Sequence, residues 1–159
     1  MPPRGIIIGV LGVAILAIPA LPAAASPADF LCLSAHPGGA PLASYPLEPG
    51  ASFALEFIHS VSRTPVMDSY RIDAGQIIQT SEVFLAHGAG LPSMSDELDA
   101  TGWRHEDGKF ILDLDRPIGE MIVRVQPAYN NTLHTPVQSI ALASLGHSAL
   151  RIAACNPSE

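Results

Sequence analysis

The sequence predicts an all-β protein, a single β-sandwich or partly open barrel of about nine short strands. Two observations support this prediction. Beyond residue 25, glycines and prolines recur between short segments of alternating apolar and polar residues, as in strands that are joined by turns. In the same region, apolar residues nowhere keep a helical spacing for three turns or more.

The predicted strands follow one another at turn spacing along the chain. Residues 30–35 form the first strand, and residues 37–50 form a connection rich in glycine and proline. Asp107-Gly108 predicts a type I′ hairpin turn, and residues 116–119 predict a second turn. The later strands are expected at residues 52–60, 66–73 and 76–85, in a hairpin over 103–114, and at 121–126, 137–143 and 149–155.

Two segments between the strands have a different pattern. Residues 86–92 contain Gly88 and Gly90, which predict a loop rather than regular structure. Residues 95–100 predict one helical turn, because Ser95 can cap its amino end.

The first 25 residues have the features of a secretory signal peptide. Arg4 supplies a basic start, residues 5–18 are uncharged and mostly aliphatic, and residues 23–25 are alanines of the kind that signal peptidase recognises. We therefore expect a signal peptide over residues 1–25 and one exported domain over residues 26–159. That domain would be periplasmic or secreted, or anchored in the inner membrane if the signal is not cleaved.

Charge excludes one class of partner. Removal of the signal takes away Arg4 and leaves 7 basic against 15 acidic residues, a net charge of −8. Such a surface repels the phosphate backbone, so no nucleic-acid partner is expected. Beyond the signal segment itself, no contact with a membrane is expected, and neither is a cofactor.

The two cysteines, Cys32 and Cys155, lie near the two ends of the exported domain. In an oxidising compartment an even pair most simply forms a disulfide. Two alternatives stay open at this point: a pair of free buried thiols, and lipid modification of Cys32.

The segment from residue 59 to residue 70 holds the densest group of polar side chains between predicted strands. His59 shares a predicted strand face with apolar residues, and a hairpin would bring Asp68 back beside it, with Ser60 and Tyr70 close by. A carboxylate next to an imidazole can orient a general base or a binding group. Three interpretations are open: a structural pair, a pair that contacts a ligand, and a catalytic pair.

Two further elements could bind a ligand. The backbone N–H groups around Gly88 and Gly90 could hold an anion, and Arg124 lies inside an apolar strand, where it either points to solvent or pairs with an anion. The histidines are scattered without a ligand spacing, so no metal site is expected.

Several of these segments together resemble a small exported bacterial family of domains of unknown function, DUF1850. Asp68 stands where that family more often has a glutamate. The resemblance implies export, a compact domain and a gene location beside tripartite ATP-independent periplasmic (TRAP) transporters, and it implies no reaction. The matching residues are 57–61, 65–66, 68, 70, 88–92 and 122–125.

These observations favour an exported accessory or binding module without catalysis, associated with a TRAP-type solute transporter. Its expected partner is the permease or the solute-binding subunit of that transporter. One alternative is a small periplasmic hydrolase or metal-dependent enzyme that uses His59 and Asp68. A second alternative is a structural domain of the cell envelope.

Overall fold

The computed structural model describes residues 29–86, 90–92 and 98–155. These residues form a curled antiparallel sheet that resembles half of a barrel, which confirms the predicted all-β class. The strands are β1 (Asp29–Ala35), β2 (Pro41–Leu47), β3 (Ser52–Ile58), β4 (Pro65–Asp73), β5 (Gln76–Phe84), β6 (Ala100–Glu106), β7 (Lys109–Arg124), β8 (Thr132–His134), β9 (Ser139–Ala141) and β10 (Ala149–Cys155).

The strand order in the sheet is β2-β1-β10-β7-β5-β4-β3-β8-β9, and β6 pairs with the first part of β7 on the edge opposite β5. The long strand β7 belongs to both halves of the sheet. Its first part pairs with β5 and β6, and its last five residues, 120–124, pair with β10. Two short 3₁₀ helices, Pro127–Tyr129 and Leu142–Leu145, follow β7 and β9.

The curl brings the apolar sides of the two halves together. Strand alternation points one set of side chains inward along every strand, so that each half contributes a row of aliphatic and aromatic residues. The fully buried side chains of the core include Leu31, Leu33, Leu47, Phe53, Ile77, Leu133, Leu142, Leu150 and Ile152.

The structure confirms the predicted disulfide between Cys32 and Cys155. The two residues lie on neighbouring strands, since β1 pairs with β10, and their Cα atoms are 5.9 Å apart. The bond therefore fastens β1 to β10 across 123 positions of sequence.

One strand lies where the sequence predicted a turn-rich connection, and another lies where it predicted no element. Residues 37–50 were expected to be irregular, yet Pro41–Leu47 forms β2, and β8 lies between the predicted strands at 121–126 and 137–143. Strand β2 is at the end of the sheet, where a proline costs no ladder hydrogen bond on the open side. Turn-forming residues were therefore a misleading signal here.

The region around residue 117 was also predicted incorrectly. The expected turn over residues 116–119 is part of the continuous strand β7, and the sheet register shifts there instead of breaking. Gly119 has a φ of 70°, a left-handed conformation that glycine adopts without strain. The Asp107-Gly108 hairpin turn is confirmed, since both residues have positive φ, as a type I′ turn requires.

Three predictions fall wholly or partly on residues outside the described ranges. The signal peptide over residues 1–25 and the glycine at position 88 lie outside them, as do residues 95–97 of the predicted helical turn. Within the described part of the chain, no helix has the length and apolar character needed to span a membrane.

Candidate functional site

Five polar side chains meet on the core-facing side of β4, β5 and β7. Cross-strand pairing places Tyr70 opposite Gln79, and Gln79 opposite Arg116. The neighbouring pair on the same side is Asp68 opposite Glu82. We call these five residues the Asp68 network. It brings two carboxyls and one guanidinium next to the apolar core.

A β-bulge in β5 makes this arrangement possible. The register between β4 and β5 shifts after Ser69, which leaves Thr80 as an extra residue in β5. Because of that extra residue, Gln79 and Glu82 can point to the same side although they are three positions apart. Gln79 is buried, with 7% of its surface exposed.

The carboxyl of Asp68 is poorly solvated. Its Oδ2 accepts a hydrogen bond of 3.3 Å from the Tyr70 hydroxyl, whereas its Oδ1 is buried and has no hydrogen-bond partner among the described residues. Burial raises the pKa of Asp68 from 3.8 to about 6. Hydrogen bonding by Tyr70 and Gln79 and the charge of Arg116 lower the pKa, but by less than burial raises it. The neutral acid therefore persists to higher pH than in an ordinary aspartate.

Tyr70 is a fixed hydrogen-bond donor in this site. Burial raises the pKa of its phenol far above the usual range, and the nearby charges of Asp68 and Glu82 raise it further. Its ring stacks on Phe53, with a distance of 5.3 Å between the ring centroids. The hydroxyl therefore stays protonated and directed at Asp68.

Arg116 holds the other end of the network. One terminal nitrogen donates to Gln79 Oε1 at 3.4 Å, and the other donates to the backbone oxygen of Leu98 at 2.7 Å. The Nε atom lies 3.8 Å from Asp99 Oδ2. These contacts connect the buried polar residues to the segment that precedes β6.

An aromatic cluster borders the network beyond Glu82. Phe84 follows two positions later in β5 and is fully buried. Its ring centroid lies 6.0 Å from that of Trp103 and 5.4 Å from that of Phe110. The carboxyls of the network thus stand between the central core and a second apolar group.

The predicted contact between His59 and Asp68 is wrong. Strand β3 ends at Ile58, and His59 begins a turn over residues 59–64 in which its N–H donates to Thr64 O. Asp68 is opposite Leu55, four positions from His59, or about 13 Å along the strand. The prediction assumed a shorter turn. Because the turn covers residues 59–64, Ile58 pairs with Pro65, and Asp68 is opposite Leu55 instead of lying close to His59.

His59 instead stabilises its own turn. Its Nδ1 accepts a hydrogen bond of 3.2 Å from the Ser62 backbone N–H and lies 3.1 Å from the Ser62 hydroxyl. That hydroxyl is in turn 2.8 Å from the Thr64 hydroxyl. The imidazole is half-buried, so it has a local structural role.

We therefore expect His59→Ala to lower the free energy of unfolding by only about 1 kcal/mol, the usual value of one partly exposed hydrogen bond. Denaturant unfolding will measure the change, and Ser60→Ala in the same turn is the matched control with no expected effect. A loss of several kcal/mol for His59→Ala would show that the imidazole belongs to the core.

The other predicted site residues lie apart from one another. Ser60 is exposed in the turn after β3, and Gly90 is exposed with a φ of 89°. Arg124 is exposed on the outward side of β7, and Gly88 lies outside the described residues. Among the predicted binding residues that lie in the described ranges, the structure brings Asp68 and Tyr70 into contact and leaves Arg124 and Gly90 apart from them.

Sequence reasoning missed Gln79, Glu82 and Arg116. Gln79 directly follows two buried isoleucines, and a polar residue in such a run was an available signal. Arg116 lacked such a signal, since Asp115 and Pro117 flank it and the segment has the composition of a turn. Nothing in the sequence paired them, because 37 positions separate Gln79 from Arg116.

The described part of the chain contains no group of three or more His, Cys, Asp or Glu side chains that could hold a metal ion.

The Asp68 network can do two things chemically. It can accept a hydrogen bond at Asp68 Oδ1, and it can exchange a proton at the Asp68 carboxyl near pH 6.

Comparison with protein families identifies the family of the chain. The family model described as "Domain of unknown function (DUF1850)" matches residues 53–142. The match runs from β3 to the 3₁₀ helix after β9, so it includes the whole Asp68 network and leaves out both cysteines. No curated protein and no solved structure matches the chain.

Proposed function

Because the chain belongs to the DUF1850 family of domains of unknown function, we propose a function from its own site and charge. It is an exported accessory module that binds a partner or ligand through the Asp68 network, without catalysis. Its partner is the permease or the solute-binding subunit of a TRAP-type transporter.

A single observation supports the binding role. Oδ1 of Asp68 is buried and has no hydrogen-bond partner among the described residues. A buried carboxyl oxygen without a hydrogen-bond partner is costly, so such groups are rare unless they serve a function. Because Oδ1 is buried, a bound molecule would have to displace the side chains that cover it; its donor would then complete the hydrogen bonding of Oδ1 and stabilise the ionised carboxyl. Tyr70 and Gln79 already favour that ionised form.

The geometry favours binding over the hydrolase alternative. A hydrolase built on His59 and Asp68 needs these side chains in contact, and the register of β3 and β4 keeps them four positions apart. His59 Nδ1 is occupied by the Ser62 N–H, which leaves it unsuited to take a proton there. Asp68 without an adjacent imidazole serves as a hydrogen-bond acceptor for a bound group.

Export is supported by two independent features. The apolar segment after Arg4 has the pattern of a signal peptide, and the Cys32–Cys155 disulfide is of the kind that persists in oxidising compartments. Both agree with a domain that works outside the cytoplasm, where it can meet a periplasmic or membrane-bound transporter subunit.

Co-purification tests the proposal. The tagged protein is co-expressed with the permease and solute-binding subunits of a TRAP transporter encoded in the same genome, captured from detergent-solubilised cells, and probed for each subunit. We expect one of them to co-purify. Asp68→Asn should reduce its recovery roughly ten-fold, because a charge-assisted hydrogen bond is lost.

Asp73→Asn is the matched control, since Asp73 is an exposed acid on the same strand, with 62% of its side chain accessible. It should leave the recovery unchanged. Recovery of neither subunit with the wild-type protein would reject the transporter association. Equal recovery with wild type and Asp68→Asn would reject the Asp68 network as the contact.

A further inference from the structure

A second site lies on the outward side of the sheet, away from the Asp68 network. A cavity of about 430 Å³ opens where β1 and β7 end and β10 begins. Its wall includes His36, Ile122, Arg124, Ser148 and Ala149. The cavity combines polar donors with apolar surface in one place.

The sheet register builds this cavity. Ala149 of β10 pairs with Arg124 of β7, and on the other side its carbonyl accepts a hydrogen bond of 3.1 Å from the His36 backbone N–H. His36, Ala149 and Arg124 therefore form one cross-strand row. Two strand spacings, about 10 Å, separate the backbones of the outer two residues. The small methyl group of Ala149 leaves the space between their long side chains open.

The Arg124 guanidinium is available to a ligand. It has no hydrogen-bond or ion-pair partner among the described residues. Arg151, one row away on the same outward side, differs in this respect: its Nε and one terminal nitrogen donate to Glu120 Oε2 at 2.7 and 2.6 Å. A guanidinium that lines a cavity and has no carboxylate partner among the described residues is a site for an anion.

We propose that this cavity binds the carboxylate of a small organic acid. The planar guanidinium of Arg124 donates two parallel hydrogen bonds to the carboxylate oxygens. The His36 imidazole carries a ring N–H in either neutral tautomer. It donates that N–H to the carboxylate from the opposite side of Ala149.

The apolar part of the acid would pack on Ile122, whose surface is 44% exposed beside the cavity. A carboxylate matches this wall better than a free phosphate does, for two reasons. One guanidinium neutralises a single negative charge, and the exposed isoleucine gains only from an apolar ligand.

Titration followed by NMR tests the site. Benzoate is added to the isotopically labelled protein, and the signals of the Arg124 side-chain Nε–H and of the Ile122 and Ala149 amides are followed. We expect saturable shifts at these three positions with millimolar affinity. Benzamide, which has the same shape without the charge, should cause no saturable shifts.

Three variants sharpen the test. Arg124→Gln should weaken benzoate binding about ten-fold or more, since charge-assisted hydrogen bonds are lost. Arg124→Lys should recover only part of that loss, because an ammonium lacks the planar fork. Arg151→Gln, the matched arginine one row away, should bind benzoate as the wild-type protein does.

Three results would overturn the proposal. They are the absence of saturable shifts with benzoate, equal affinity in the wild-type and Arg124→Gln proteins, and saturable binding of inorganic phosphate without binding of benzoate. Amide spectra of the variants show independently that each is folded, so a loss of binding cannot be mistaken for unfolding.

Discussion

Reduction of the Cys32–Cys155 disulfide is expected to lower the free energy of unfolding by about 4–5 kcal/mol, because the bond closes a very long loop in the unfolded chain. The two cysteines are 123 positions apart in sequence, and few single cross-links could restrict the unfolded state more. For a domain of this size the melting temperature should fall by on the order of 15 °C. Thermal unfolding with and without reductant will measure the change.

The control for this prediction is the double variant Cys32→Ala/Cys155→Ala. It should melt near the temperature of the reduced wild-type protein and should not respond to reductant. Thiol titration of the denatured wild-type protein, purified without reductant, should detect no free thiol until reductant is added. An unchanged melting temperature after complete reduction would mean that the native sheet holds β1 and β10 together without the bond.

Asp68→Asn is expected to stabilise the protein at neutral and basic pH. The native pKa of about 6 lies above the unfolded value of 3.8, so the native state keeps the proton where the unfolded state releases it. Stability from this group is complete below the unfolded pKa and is lost as the pH rises through the native pKa. The full loss corresponds to about 3 kcal/mol. An asparagine at this position stays neutral at every pH, so the variant does not lose this stability as the pH rises.

Denaturant unfolding of both proteins at about pH 4 and about pH 8 will measure this difference. The variant should gain up to about 3 kcal/mol relative to wild type between the two conditions. Asp73→Asn is the control, since it replaces an exposed acid of the same strand. Its difference from wild type should stay within about 0.5 kcal/mol. A pH-independent difference for Asp68→Asn would contradict the raised pKa.

The predictable parts of the fold were those fixed by local chemistry. The alternation of apolar and polar residues over 52–58 correctly predicted β3. The Asp107-Gly108 turn correctly predicted the hairpin of β6 and β7. Both signals act within a few residues. Strand β2 could not be recognised in this way. Its prolines are tolerated because of its position at the end of the sheet, and that position depends on the whole topology.

The candidate site was predictable only in part, for a related reason. Asp68 and Tyr70 are two positions apart on one strand, so alternation alone places them on one side. Gln79 and Glu82 lie on that side only because of the bulge at Thr80. No residue pattern around Thr80 predicted this bulge. The error over His59 came from the length of the turn after β3, which moves the register by whole residues.

The pairing of β1 with β10 has a consequence for biosynthesis. A chain that emerges amino end first presents β1 and β2 long before their partner, and no fragment that stops before Ala149 can form the β1–β10 ladder. Contacts over such sequence distances slow folding. During that delay the core side of β1, with Leu31 and Leu33, stays uncovered. Chaperones that shield exposed strands are therefore needed most while this chain is still incomplete.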